Sequence, residues 1–159
     1  MPVTIAPSTE ACQALVDRIN SGTAYALDVV AEYSRVEVNP LEDIRGRRVD
    51  VVHIDEIQLN RTFDVEDATS HTIAIWIREK LTDASPEQID ALCLVARQIF
   101  QRLNTNDDSN AGGWDSDDGR VRVWSVDEET RMVPDKSLLR QAGLFVAKIV
   151  LRVEVEASP

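Results

Sequence analysis

Apolar and polar positions alternate over residues 144–155 with a period of two. Phe145, Ala147, Ile149, Leu151, Val153 and Val155 fall on one face of an extended strand. Lys148, Arg152 and Glu154 fall on the other, with Leu144, Val146 and Val150 among them. This pattern predicts a long strand with one face in a core. Shorter segments predict strands over 26–33, 49–54, 72–78 and 120–126, the second more continuously apolar and the third cleanly alternating. In the first, Leu27, Val29, Ala31 and Tyr33 oppose Asp28, Val30 and Glu32; in the third, Ile73, Ile75 and Ile77 oppose Thr72, Ala74, Trp76 and Arg78.

Two segments switch to a helical period. Ala11, Leu15, Val16 and Ile19 share a face of a helix with Ser8 as its expected N-cap, Glu10 in its first turn and Gly22 as its stop. Ser85-Pro86-Glu87-Gln88 offers a cap, a proline at the first helical position and a reciprocal glutamine. Ile89, Leu92, Cys93, Ala96, Ile99, Phe100 and Leu103 then follow at helical spacing. A short helix is expected over 135–142, stopped by Gly143. The polar, acidic stretch 55–70 predicts a long loop or an extended hairpin arm. Residues 104–119, with five aspartates and no apolar period, predict an exposed, flexible acidic loop.

The order of elements implies an α+β class: a single, mostly antiparallel sheet with two main helices packed on one face. Strands adjacent in sequence are expected to run antiparallel, leaving the other sheet face open to a partner. At 159 residues, one domain over 1–159 is the natural expectation. No run approaches the ~18 apolar residues that span a bilayer, and the first residues lack a basic region and an apolar core for secretion. The expected location is cytoplasmic, with no membrane contact.

Charge narrows the choice of partner. Seventeen basic against 28 acidic residues give a net charge of −11. Unaided nucleic-acid binding needs the opposite sign, because Lys and Arg must replace counterions. The balance suits either plain solubility or a surface that tolerates nearby DNA without holding it. Cys12 and Cys93 sit on apolar helix stripes as small hydrophobes, with neither a CxxC pair nor histidine partners for zinc.

Candidate chemistry is sparse. An EF-hand register over the aspartate loop fails: with Gly119 as its sixth residue Trp114 falls at the first position, and with Gly113 as its sixth Asp108 and Asn110 are well placed but Gly112 falls at the fifth and Gly119 at the twelfth. His53, Asp55 and Glu56 could serve a metal-dependent hydrolase, with His53 and Asp55 expected on one strand face. No serine lies in a nucleophile elbow, and Gly112-Gly113 is followed by no phosphate-loop lysine. No catalytic residue, metal ligand or cofactor is therefore expected. Trp114 reads equally as an interface anchor or as a plug pinning its loop. Trp76 and Trp124 are expected on the sheet face away from the isoleucines, where they could serve subunit contact.

The helix Ala-Leu-Val-Asp-Arg-Ile-Asn (14–20), the strand over 26–33, Val-Asp-Val-Val (49–52) before a polar loop, Ile-Ala-Ile-Trp-Ile (73–77), a long helix and the closing Gly143-Leu-Phe-Val-Ala-Lys-Ile-Val-Leu-Arg-Val share a layout. This layout resembles the tail terminator and tail-completion proteins of long-tailed bacteriophages, over most of the chain and without a diagnostic short motif. The resemblance implies a structural virion protein and not an enzyme. It implies a homo-oligomeric ring, a hexamer, that caps the tail tube, joins it to head–neck connector proteins and lets DNA through without specific binding. Assembly in the host cytoplasm and residence in the tail–neck region of the virion follow from it. Under that resemblance, the contacts with tube, neck or lumen are expected at Asp55, Glu56, Asp64, Glu66, Asp107, Asp108, Trp114, Asp115, Asp117 and Asp118. Alternatives are a head-closure or other neck component, an acidic DNA-mimic inhibitor, or a hydrolase built on Asp55, Glu56 and a histidine.

Overall fold

The computed structural model describes residues 5–22, 25–39, 42, 44–59, 68–82, 85–104 and 113–156. The elements run α1 (Pro7–Asn20), β1 (Ala31–Ser34), β2 (Arg47–Leu59), β3 (Ala68–Lys80), α2 (Pro86–Asn104), β4 (Val121–Val126), α3 (Lys136–Ala142) and β5 (Leu144–Val155). All five strands form one sheet in the order β1-β2-β3-β5-β4. The pairs β2–β3, β3–β5 and β5–β4 are antiparallel. The α+β class with one mostly antiparallel sheet is the fold this chain adopts.

β5, held between β3 and β4, is apolar on both faces over most of its length. Phe145, Ala147, Ile149, Leu151, Val153 and Val155 enter one core with Val49, Val51, Ile73, Ile75 and Ile77. α1 adds Ala11, Leu15 and Ile19 to that core, and α2 adds Leu92, Ala96, Ile99 and Leu103. Both main helices thus pack on one sheet face. Each fully buried Leu or Ile contributes about 1.5–3 kcal/mol. On the opposite face Leu144, Val146 and Val150 are buried too, and Leu144 and Val146 pack with Ile44, Trp76 and Leu138 in a smaller cluster.

Three local expectations are corrected. β1 runs parallel to β2, with Ala31 opposite Val49 and Ser34 opposite Val52. Residues 35–46 intervene, about the dozen that a parallel crossover requires. β1 is also shorter than 26–33, because the Asn20 carboxamide occupies the backbone of Ala31: Ala31 N donates to Asn20 Oδ1 at 2.7 Å, and Asn20 Nδ2 donates to the Ala31 carbonyl at 3.0 Å. Leu27 and Val29 pack against the core as coil. The cap of α1 is Ala6, not Ser8; Pro7 takes the first helical position, so Ser8 already lies inside the helix.

The other two helix starts follow the sequence. Ser85 Oγ accepts from Gln88 N at 3.3 Å, although the Gln88 amide reaches Glu79 instead of closing the box. Asp135 accepts from the Ser137 and Leu138 N–H groups, and Gly143 ends α3 in the left-handed region. Among the described residues no helix is long and apolar enough to cross a membrane.

Candidate functional site

The acidic stretch from residue 55 is an arm over its described part. β2 pairs with β1 only as far as Val52 but continues to Leu59 against β3, which begins at Ala68. Beyond the reach of β1, Ile54, Asp55, Glu56, Ile57 and Gln58 are all exposed. Ile54 and Ile57 stand 51% and 54% exposed. Asp64 and Glu66 lie outside the described residues.

A β-bulge at Ile54 decides what this arm presents. His53 pairs with Ile73, but Asp55 pairs with Thr72. The extra residue turns Asp55 to the opposite sheet face from His53, contrary to the expectation that they share one. Glu56 moves onto the face of the histidines instead. His71 lies fully buried at the base of the arm, with Nδ1 2.8 Å from His53 Nε2 and Nε2 2.8 Å from Thr69 Oγ1. Glu56 Oε1 stands 3.6 Å from His71 Nε2. Burial, then the neighbouring His53, lowers the His71 pKa; Glu56 opposes them. Both His71 nitrogens are engaged, so the cluster fastens the arm to the core. Sequence named His53 and Glu56 but missed Thr69 and the His53–His71 contact. The bulge, which brings Glu56 opposite His71, leaves no periodic signal.

The second candidate region is tightly ordered where it is described. Trp114 N donates to the Leu103 carbonyl at 3.0 Å, and Val123 N donates to the Trp114 carbonyl at 2.8 Å. Residues 113–119 therefore form the outer leg and turn of a hairpin with β4. The Trp114 ring packs against the main core, with the Arg18 guanidinium 5.5 Å from its centroid. Of its two readings, the plug is the one the packing supports. Asp115 pairs with Arg122 at 3.2 Å. Asp118 accepts from the Ser116 hydroxyl at 2.6 Å and from Arg120 N at 3.0 Å. These bonds, the hydroxyl first, hold its carboxyl below the usual range. Asp117 is exposed. Asp107 and Asp108, with the rest of 105–112, lie outside the described residues.

A third surface was only half legible. Trp76 lies on the face away from α1 and α2, and the Trp124 indole N–H donates to the Glu154 carboxylate on that same face. Beside Trp76 is a cleft of about 350 Å³ lined by Val133, Pro134, Leu138 and Val146, with Arg131, Lys148 and Asp135 at its margin. It forms because residues 127–135 follow β5 irregularly: Asp127 N donates to Val150 O at 2.8 Å, and Lys148 N donates to Arg131 O at 2.8 Å. The Lys148 ammonium lies 5.0 Å from the Trp76 centroid and 3.6 Å from Glu129. The tryptophan signalled the face; nothing in the local pattern signalled that 131–134 would wall it.

Among the described residues, no group of three or more His, Cys, Asp and Glu is placed to hold a metal ion. No protein-family model matches this chain, and no curated protein matches it as a relative.

Proposed function

We propose that this chain is a structural assembly protein that forms an oligomeric ring and caps a phage tail tube, in the manner of the tail terminators its layout resembles. The observation that carries the proposal is the β2–β3 arm. Five consecutive strand residues, 54–58, are exposed, two of them isoleucines. A strand extending beyond its sheet neighbour with apolar side chains in water is a pairing surface that monomeric proteins avoid. The arm stands on a fully packed core, so its exposure belongs to the fold. The net charge of −11 suits a wall past which DNA slides.

Light scattering coupled to size exclusion, alone and with purified tail tube, tests this function. The expected result is a discrete ring, hexameric by the resemblance, that binds tube ends and appears as an annulus in negative stain. A protein that stays monomeric at all concentrations and ignores tube ends overturns it.

A further inference from the structure

We infer that the β2–β3 arm of one copy docks into the Trp76 cleft of a second copy, Ile57 filling the cleft and Asp55 meeting its cationic margin. This deepens the assembly function above and rests on it.

The two surfaces match in shape and charge. Asp55 and Ile57 pair with Thr72 and Ser70, so they share one face of the arm, two residues apart. Ile57 is 54% exposed, an apolar knob without cover. The cleft of about 350 Å³ is walled by Trp76, Val133, Pro134 and Val146, and it holds Arg131 and Lys148 at its margin. Val133 is 63% exposed, so the apolar wall is as uncovered as the knob. In a chain of net charge −11, a margin carrying two cations is an acceptor for an acidic strand. The nearby carboxylates do not cancel it. Asp135 is engaged by the Ser137 and Leu138 N–H groups. Glu129 is 67% exposed and reaches Lys148 only at 3.6 Å, so an incoming Asp55 can displace it.

The arm cannot fill the cleft of its own chain. Ser70, opposite Ile57, and Trp76 lie six positions apart on the straight β3, which at ~3.3 Å per residue is about 20 Å. The occupant therefore comes from another copy.

The test is a cysteine pair, I57C and V133C on one chain in a C93S background, with charge reversals D55K and K148E made separately and together. All four positions lie outside the main core, and circular dichroism checks that each variant folds. Disulfide-linked multimers under mild oxidation are expected. Each charge reversal is expected to weaken self-association about tenfold, and the D55K/K148E swap to recover most of that loss. Rings that assemble without the 57–133 crosslink, indifferent to both reversals, overturn the docking and leave the ring function standing. Crosslinked species that stop at a dimer uphold the docking and overturn the ring. Crosslinks joining 57 to 57, or a K148E chain that self-assembles normally but no longer binds tube ends, overturn the docking by assigning the arm or the cleft another occupant.

Discussion

Arg18 and Arg102 each cap the helix that carries the other. Arg18 Nε donates to the Arg102 carbonyl at 3.2 Å, and Arg102 Nε donates to the Arg18 carbonyl at 2.7 Å. The last carbonyls of a helix lack intrahelical donors and carry the negative end of its dipole, so a guanidinium there satisfies both needs. Arg102 also donates to Ser21 Oγ at 2.8 Å, tying the end of α2 to the residue after α1. The exchange fixes the two main helices together at their C-terminal ends, beside the Trp114 ring.

R18A and R102A are each expected to cost about 1 kcal/mol in urea unfolding, discounted from the charged hydrogen-bond range because both side chains are half-exposed. The double variant should cost less than the sum, with a coupling of at least ~0.5 kcal/mol. Strict additivity would show that the two caps act independently.

Gly113 sets the turn that brings Trp114 to the core. Its φ is +75°, and a Cβ there would lie against the Val123 carbonyl oxygen, well inside contact distance. G113A is expected to destabilise the fold by more than ~2 kcal/mol, through left-handed strain and displacement of the β4 hairpin. Near-ultraviolet circular dichroism should lose Trp114 signal. W114A should cost about 2 kcal/mol, short of a fully buried tryptophan, and leave self-association intact. A W114A chain that is fully stable but cannot assemble would return Trp114 to the interface.

The main core was legible because β5, β3 and α2 carry uninterrupted periods. Phe145 to Val155 and Ile73 to Ile77 enter the core on the faces their alternation assigns. Misjudgements cluster where a single long-range contact outweighs a local pattern. Asn20 captures Ala31 and shortens β1; one inserted residue at Ile54 reassigns Asp55 and Glu56 between faces. Of the expected contact residues, Asp55, Glu56, Asp115, Asp117 and Asp118 are visible as surface or turn, while Trp114 is drawn inward. The Trp76 cleft depends on residues 131–134 lying beside β5, a tertiary relation without a sequence period.

Asp50 and Arg78 form a pair on the sheet face away from the main helices, 2.9 Å apart, with 2% and 1% of their surface exposed. Arg78 also donates to the Asn39 carbonyl at 3.1 Å, holding the β1–β2 crossover. Removing one member leaves the other buried and charged. D50A is expected to lower stability by about 3–5 kcal/mol, whereas D50L/R78M, which removes both charges, should recover most of that loss. A D50A cost below ~1 kcal/mol would mean that water or Glu42, 3.6 Å from the Arg78 guanidinium, compensates its charge.

His71 gives the fold a pH dependence with a definite sign. Its ring is fully buried 2.8 Å from His53, and its pKa lies below the ordinary value of 6.5 because burial, then His53, disfavours the charged form. In the unfolded chain the same ring takes up a proton near ~6.5. Below that pH the unfolded state binds more protons than the folded one. The contribution of His71 is therefore complete above ~6.5 and declines as pH falls toward the lower folded-state pKa. A charge on this buried ring is disfavoured where it sits at the foot of the arm, so the base of the arm opens before the core does. Urea midpoints of the wild type should hold steady from about pH 8 to 7 and fall below ~6.5. Over the same range, amide exchange should quicken first in residues 53–59 and 68–72. H71Q keeps a polar group toward Thr69 but cannot charge. It should be less stable at neutral pH, with a flatter profile between about pH 7 and 5.5. If H71Q and the wild type lose stability in parallel across that window, the histidine pair is not the titrating element at the foot of the arm.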